Sequence, residues 1–469
     1  MAVYPTPGLR NRTCIIAGLL SLSAGVAQAS SFALIEQSVS GMGSAYAIGA
    51  AGLDDASTLY FNPAGMSRLS GSNLSTGLQI VSSSVDINAS AEYNANNPAL
   101  GPLGLDIAGD PINGSGSTNT DLVAGVPAGY ITHQYSDRLW AGFAVNAHFG
   151  LETDYDANWV GRYHAIKSEL LTLDFNPSLA FKVNDSATVA LGISALYADG
   201  RLTNAIDGGL ADNLNDNFIQ GVSAPLCAED PCPWDLNATL EGDDWGFGFN
   251  FGILLEPSDN TRLGLHYRSK IELDIEGDIT LSHLAFPAPQ VQGAKLPLTL
   301  PGSLSVSGYH ALNSQWAVMA DLTWTEWSRV QNVDITLASG SQSNNAWKYD
   351  DSTRIAIGTE YKHSADWTYR AGVALDKTPV PSDVDRSPRV PDADRTWLTF
   401  GATYKYSPDI TVDFAYAHLF VDDPKLDGVS DANDPTLPFP AGVTGFHSLS
   451  GSYDASVDIV GVQLNWKWK

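Results

Sequence analysis

Alternating hydrophobic and polar positions dominate the chain from about residue 68 to its end. In each run, every second residue is aliphatic or aromatic, and the residues between are small or polar; the clearest runs are 187–197, 245–255, 316–324, 398–406, 411–416 and 460–468. Side chains alternate across a β-strand, so each run presents one apolar face and one small or polar face. The pattern predicts an all-β protein.

The spacing of the connections predicts how many strands there are. Six short polar turns alternate with seven longer polar segments: the turns lie near 136–138, 184–185, 257–260, 312–315, 363–366 and 407–409, and the long segments near 88–120, 150–168, 202–240, 279–297, 338–346, 377–393 and 422–450. This alternation implies fourteen strands with both chain ends on the short-turn side, as in bacterial outer-membrane barrels.

Aromatic residues distinguish a membrane barrel from a soluble sandwich, because alternation alone occurs in both. The chain has 12 Trp and 18 Tyr, and rings recur at the ends of the apolar stripes, as in the interfacial girdles of outer-membrane barrels. An open sheet edge in lipid would leave unpaired N–H and C=O groups, so the sheet must close. We predict an antiparallel transmembrane β-barrel of 14 strands over residues 68–469.

The N-terminal residues are predicted to form an export signal. Residues 1–29 contain Arg10 and Arg12, then an apolar run too short to span a bilayer, then a small-residue cleavage site that ends at Ala29. Residues 30–67, rich in Gly, Ala and Ser, show neither helical nor strand periodicity in their apolar positions. We expect them to form a plug, or hatch, inside the barrel.

The charge of the chain limits its partners. A formal net charge of −27 argues against nucleic acid, because phosphate binding requires Lys and Arg to replace counterions. The acidic runs at 383–395 and 422–435 match no calcium-loop spacing and are expected to form a solvated outer surface. Divalent cations bridging them to lipopolysaccharide are a second hypothesis.

No motif for catalysis, metal binding or a cofactor is present. The chain lacks nucleophile-elbow, zincin, P-loop and dinucleotide-binding signatures, and its nine His residues are scattered. A Ser–His pair assembled across strands, as in a lipid hydrolase, would leave no motif and stays open. Cys227 and Cys232 are expected to form a disulfide in a small loop, since two thiols with no nearby His are too few ligands for zinc.

Several blocks, in order along the chain, resemble the FadL family of outer-membrane transporters for long-chain fatty acids and other hydrophobic molecules. The hatch carries S-G-x-G-x-A-Y, D-D-A and N-P-A, the last at Asn62, Pro63 and Ala64. The barrel carries W-G-F-G-F-N-F-G-I-L from Trp245, L-P-G-S-L-x-V-S-G-Y from Leu300 and R-I-A-I-G-T from Arg354, among others.

The resemblance implies where the functional residues lie. Phe32, at the hatch tip, would line a ligand pocket in the lumen, and the Asn62-Pro63-Ala64 turn would lie near an inward kink in the third strand. The kink is expected within Gly142, Phe143, Ala144, Val145 and Asn146, since glycine in a strand often marks a bend. Arg201 and Lys348 are candidate cations for a fatty-acid carboxylate, and without such a cation the ligand would be a neutral hydrocarbon.

We therefore predict a passive uptake channel, not an enzyme, which works without cofactor as a monomer in the outer membrane. Ligand would bind in the lumen and leave through a hatch movement and a lateral opening at strand 3. The alternative is an adhesin or structural barrel whose acidic loops bind a partner.

Overall fold

The computed structural model describes residues 31–94, 107–208, 232–283, 288–343, 345–431 and 445–468. The predicted signal peptide lies outside these residues. Short helical segments occur at α1 (Val39–Met42) and α2 (Thr58–Phe61), with 3-10 turns at Gly49–Ala51, Pro63–Arg68 and Trp327–Arg329. Nowhere in these ranges is there a helix long and apolar enough to cross a membrane.

The strands of the described residues form one antiparallel sheet. They are β1 (Ser72–Tyr93), β2 (Ser117–Asn119), β3 (Leu122–Ser136), β4 (Leu139–Asn146), β5 (Gly150–Asp154), β6 (Lys167–Asn184), β7 (Ala187–Ile206), β8 (Leu236–Ser258), β9 (Thr261–Arg268), β10 (Ile271–Ser282), β11 (Gln290–Leu300), β12 (Ser303–Ala311), β13 (Trp316–Thr325), β14 (Thr336–Leu337), β15 (Ser352–Lys362), β16 (Trp367–Asp376), β17 (Arg395–Lys405), β18 (Ile410–Val421), β19 (Lys425–Ser430) and β20 (His447–Trp468).

The sheet closes on itself, and the predicted fourteen-stranded barrel is confirmed. β1 pairs with β20 along its whole length, from Ser72 opposite Trp468 to Tyr93 opposite His447. Three of the fourteen wall strands consist of two consecutive segments, namely β4 with β5, β9 with β10 and β11 with β12. The short strands β2, β14 and β19 add pairs to β1, β11 and β20.

The apolar face of the strands points outward. Ile193 is 58% exposed, Phe247 70% and Ile357 65%, whereas the positions between them are buried or small. A soluble sandwich would bury this face, so its exposure around the whole wall indicates a surface that contacts lipid.

The small face of the strands points into the lumen, where residues 31–70 are packed and mostly buried. Glycine allows this packing, because a Cβ added at Gly264 would lie 1.7 Å from the carbonyl oxygen of Ala50 and one added at Gly372 would lie 2.3 Å from the carbonyl carbon of Ser44. Gly264 and Gly372 are therefore points where the strands contact the hatch.

Candidate functional site

The barrel wall is interrupted between β4 and β5. β4 pairs with β6 up to Asn146 and with β3 up to Val145, whereas β5 pairs with β6 and with no other strand of the described part. Over residues 122–128, β3 correspondingly pairs with β1 and with no second strand in the described ranges. The wall therefore has a gap in its ladder between β3 and β5.

The interruption lies at residues 147–149, just after the segment in which the kink was expected. Gly142, Phe143 and Val145 belong to a regular strand paired on both sides. Gly142 serves a different purpose, since a Cβ there would lie 2.7 Å from Leu59 and 2.8 Å from Met66, both residues of the hatch. In the same strand, Ala144 and Asn146 are buried and Phe143 is exposed on the outer face.

The N-terminal segment of the hatch covers the interruption. The N–H of Leu34 donates to the carbonyl oxygen of His148 at 2.7 Å, and the N–H of Gly150 donates to the carbonyl oxygen of Phe32 at 2.9 Å. The side-chain amide of Gln37 also donates to the carbonyl oxygen of Ala147. Residues 32–37, called the gate segment below, thus satisfy backbone groups that the wall leaves unpaired.

An apolar cavity of about 670 Å³ lies on one side of the gate segment and is called the outer cavity. Phe32 lines it, 2% exposed, with its ring centre 4.7 Å from that of Trp327 and 6.3 Å from that of Trp347. Aliphatic side chains supply much of the rest of the lining: Leu170, Leu240, Ile275, Leu296, Leu298 and Val333.

The two cations predicted for this pocket do not point into it. Arg201 lies in the cavity wall, but its side chain is 45% exposed, pairs with Glu241 at 3.2 Å and is on the same face of β7 as the exposed Ile193. Lys348 is 62% exposed and pairs with Asp385 at 2.8 Å. Strand alternation excludes Arg201 from the lumen, because consecutive side chains lie on opposite faces of the wall.

A cation that the sequence did not suggest, Arg389, does line the outer cavity. It is 8% exposed and donates at 3.2–3.3 Å to two backbone carbonyls, the hydroxyl of Ser168 and the amide oxygen of Asn204. Burial lowers the pKa of Arg389 to about 10, so it remains charged at neutral pH. The groups that accept hydrogen bonds from Arg389 belong to residues 167–204, and no sequence motif links these residues to Arg389.

The segment that carries Arg389 is not the solvated surface that its acidic composition predicted. Val390 is fully buried and Asp392 is 1% exposed. A carboxylate oxygen of Asp392 accepts the N–H of Ser31 at 3.0 Å, beside the gate segment. Residues 389–393 therefore fold inward over the hatch, and their charges serve internal hydrogen bonds.

A second cavity, of about 910 Å³, lies on the other side of the gate segment and is called the inner cavity. Ala33, Leu34 and Ile35 line it, as do His148 and Phe149 at the interruption. Its wall is more polar than that of the outer cavity and includes Arg268, Asp321, Arg354 and Asp376. The gate segment thus separates an apolar cavity from a more polar one and contacts the wall gap beside both.

The Asn62-Pro63-Ala64 turn fixes the other end of the hatch. The amide nitrogen of Asn62 donates to the carbonyl oxygens of Ala50 at 2.6 Å, Ile253 at 3.0 Å and Leu265 at 3.4 Å, while its amide oxygen accepts the N–H of Ala64 at 3.0 Å. These bonds reach β8 and β9 rather than the interrupted strand.

Ion pairs strengthen the attachment of this part of the hatch. Asp54 lies 3.0 Å from Arg262 and 3.3 Å from Arg68. Burial acts to raise the pKa of Asp54, but these two guanidinium groups outweigh it and hold the pKa below its usual range. The hatch is therefore anchored at residues 54–68 and meets the gap with residues 32–37.

The described residues give little evidence of a metal site or a hydrolytic site. Cys232 is disulfide-bonded, and its predicted partner, Cys227, lies outside those residues. Across the ranges that the structure describes, no three His, Cys, Asp or Glu side chains are arranged to hold a metal ion. Ser72 Oγ lies 2.8 Å from His133 Nδ1, but within the same ranges no carboxylate or amide orients the other nitrogen of that ring, as a hydrolase would require.

Comparisons with known proteins agree with this architecture. The model of the family described as outer membrane protein transport protein (OMPP1/FadL/TodX) matches residues 20–468. Outer membrane protein P1 of Haemophilus influenzae is 32% identical over 86% of this chain and 89% of its own length. A long-chain fatty acid transport protein of Escherichia coli is 32% identical over 83% of this chain and 86% of its own length.

Solved structures share the fold at lower identity. A Pseudomonas aeruginosa FadL homologue superposes with a TM-score of 0.79 at 23% identity, over 94% of this chain and all of the other. The Ralstonia pickettii toluene transporter TbuX superposes with a TM-score of 0.61 at 20% identity, over 89% of this chain and 95% of its own.

Proposed function

Because this chain belongs to the OMPP1/FadL/TodX family of outer-membrane transport proteins, we propose that it carries long-chain fatty acids or other hydrophobic molecules passively across the outer membrane. A relative named for long-chain fatty acid transport and a structural neighbour named for toluene transport support the substrate class. One observation carries the proposal: Phe32 of the gate segment lines an apolar cavity, and the same segment covers a gap in the barrel wall. The family is one of transporters, not enzymes.

The outer cavity supplies the driving force for capture. A hydrophobic solute gains roughly 25 cal/mol for each Å² of apolar surface that it buries, a gain that a water-filled pore does not offer. Aliphatic lining makes this gain largely independent of the shape of the ligand. The cavity therefore extracts the molecule from the polar layer outside the membrane without energy input.

Release requires the gate segment to move, because it lies between the outer cavity and the gap. It is held to the interruption by two backbone hydrogen bonds and the Gln37 amide, each contributing about 0.5–1.5 kcal/mol. Anchoring at Asn62 keeps the rest of the hatch in place during such a movement. Ligand then leaves sideways between β3 and β5, and a monomer suffices, since the wall is closed elsewhere and the gate segment, not a second chain, covers the gap.

Uptake by the purified full-length protein in lipid vesicles tests the substrate class. The probes are palmitate and an alkylbenzene of equal apolar area, with protein-free vesicles as the control. Saturable uptake of at least one probe, without an imposed ion gradient, is expected. A barrel that binds and admits neither would favour the adhesin alternative, and binding of the acidic loops to cell-surface partners would then be the next measurement.

A reversible cross-link tests the exit route. Ala33 and Phe149 are antiparallel bridge partners, so Ala33→Cys combined with Phe149→Cys should form a disulfide that locks the gate segment to the wall. Oxidation should abolish uptake, and mild reduction should restore it. The matched control is Ser84→Cys with Ser456→Cys, a directly opposed pair at the β1–β20 seam. Uptake that continues through the oxidised gate would exclude the lateral route.

A further inference from the structure

One buried histidine, His447, lies where the described parts of four long loops meet. It begins β20, whose lipid-facing positions run from Val460 to Trp466, so it lies outside the membrane. The side chain is 4% exposed, so protein groups replace water around it. The residues that surround it are Tyr93, which is its partner across the β1–β20 seam, Tyr163, Asp207 and Asp431.

Both nitrogens of the His447 ring face carboxylates. Nδ1 lies 2.7 Å from a carboxylate oxygen of Asp431, and Nε2 lies 3.5 Å from one of Asp207. A neutral imidazole carries a hydrogen on only one nitrogen, so its other nitrogen would face a carboxylate without a hydrogen between them. The arrangement therefore calls for the charged ring. Burial acts to lower the pKa of His447, but these two acids outweigh it and raise the pKa to about 9.

Two tyrosines contact the ring of His447 and bind acids of the same region. The ring of Tyr163 stacks on it, with the centres 4.2 Å apart, and the centre of the Tyr93 ring is 5.5 Å away. Tyr93 donates to Asp207 at 2.7 Å, and Tyr163 donates to Asp235 at 2.8 Å. Burial raises the pKa of both tyrosines above the usual range, so both stay neutral well into alkaline solution.

A cation and a second histidine complete the surroundings of His447. Arg162 pairs with Asp235 at 2.6 Å, and a guanidinium stays charged at any pH of interest. His164 Nε2 lies 3.0 Å from the carbonyl oxygen of Val429, and burial lowers the pKa of His164 to about 4. His164 is therefore already neutral at pH 7, and the change of charge above that pH belongs to His447.

Residues 203–207 connect this cluster to the outer cavity. The amide oxygen of Asn204 accepts a hydrogen bond at 3.3 Å from Arg389, which lines that cavity. The same segment ends at Asp207, one of the two acids at His447. The segment that His447 holds at one end thus holds a residue of the cavity wall near the other.

We propose that the charged ring of His447 is a latch that holds these loop residues together beside the outer cavity, and that ligand enters the cavity faster once the ring has lost its proton. This inference rests on the proposed transport function, because it makes the loops control the rate of entry. A neutral ring leaves Asp207 and Asp431 without a shared cation, and two nearby carboxylates then repel each other. Separation of the loops follows from that repulsion.

Hydrogen exchange of the full-length protein tests the latch directly. A histidine whose pKa is raised in the folded loops stabilises them fully below its unfolded value of 6.5, and this contribution is lost as the pH rises to about 9. We expect exchange at residues 203–207 and 447–450, corrected for the intrinsic effect of pH, to accelerate about tenfold or more over this range. Protection that does not change with pH in the wild type overturns the latch.

Three substitutions separate the charge of His447 from its packing. His447→Gln removes the charge, so the loops should be open at every pH. His447→Lys retains a charge to about pH 10 and should keep them closed at pH 9. His164→Gln is the matched control, because it replaces a buried neutral histidine and keeps a donor for Val429, and its profile should follow the wild type. Equal opening in the Gln and Lys variants of His447 would show a packing role alone and overturn the proposal.

The association rate of a neutral probe, N-phenyl-1-naphthylamine, tests the control of entry, since this probe keeps one charge state over the same pH range. Association should be about threefold faster or more at pH 9 than at pH 6.5, and fast at both in His447→Gln. Loops that open with pH while the rate stays constant overturn the control of entry. If the probe binds at neither pH, the proposed transport function and the control of entry are refuted together, whereas hydrogen exchange still decides whether His447 is a latch.

Discussion

The N–H of Leu34 donates to the carbonyl oxygen of His148 at 2.7 Å, so the hatch pairs with the barrel wall at the point where the wall fails to pair with itself. In lipid, an unpaired backbone group costs several kcal/mol, and a gap is tolerated only where protein or a cavity covers it. The gate segment provides that cover. Closing the gap and separating the two cavities are therefore properties of the same few residues.

Replacing Phe32 with Ala should weaken ligand binding and loosen the gate. The ring contacts Trp327, Trp347 and Phe149, with centres 4.7, 6.3 and 6.1 Å away, and removing a buried Phe side chain typically costs about 3–5 kcal/mol. We expect palmitate affinity to fall at least tenfold and amide hydrogen exchange at residues 32–35 to accelerate. Phe32→Leu is the control, since it retains most of the apolar volume. Unchanged affinity in the Ala variant would remove Phe32 from the binding site.

Replacing Gly264 with Ala should displace the hatch without opening the barrel. The new Cβ would lie 1.7 Å from the carbonyl oxygen of Ala50, a backbone atom that cannot rotate away. Gly308→Ala, on the adjacent strand β12, meets nothing closer than 3.5 Å and is the matched control. Proteolysis of the hatch should accelerate in the first variant and not in the second, while both remain heat-resistant barrels in gel electrophoresis. Equal protection in the two variants would contradict close packing of the hatch at this glycine.

The gate segment should loosen as the pH rises from about 5 to 8. Burial raises the pKa of Glu36 to about 7, and a hydrogen bond from its own backbone, together with the charges of Arg395 and Arg354, only partly offsets this effect. A carboxyl whose pKa is higher in the docked state favours docking while protonated, and the advantage is lost as the pH rises through that value. The shift from 4.5 corresponds to about 3 kcal/mol.

Hydrogen exchange at residues 32–37, corrected for the intrinsic effect of pH, measures this dependence. Glu36→Gln should make the profile flat, because glutamine does not titrate. A wild-type profile that is itself flat would show that Glu36 keeps one charge state over the range.

Neutralising Arg201 or Lys348 should change ligand affinity less than twofold. Both side chains are exposed and already pair with acids, and such exposed pairs contribute little. Arg201→Gln and Lys348→Gln are compared with wild type in palmitate titrations. A tenfold loss in either variant would mean that the residue reaches the ligand after all, through a rearrangement of the wall.

The side of the barrel wall on which some side chains lie could be predicted from the sequence without any structure. Arg201 falls on the same strand face as Ile193 and Tyr197, so alternation already assigned its side chain to the outside of the barrel. By contrast, the sequence contains no sign that Arg389 turns inward, because its partners lie about 185 to 220 positions earlier in the chain.

The amino-acid sequence alone determined the all-β class, the fourteen strands, the outward apolar face and a plug without a hydrophobic stripe of its own. These follow from local rules: a period of two along each strand, the lengths of the turns, and the need to close a sheet in lipid. Only the tertiary structure decided where the wall breaks, which cations face a cavity and what the glycines contact. Local rules predicted a bend at Gly142, but this glycine instead makes room for Leu59 and Met66 of the hatch. The break in the wall lies at residues 147–149, where the backbone bonds to the hatch instead of to β3. Such features depend on contacts between residues more than a hundred positions apart, and no local pattern encodes them.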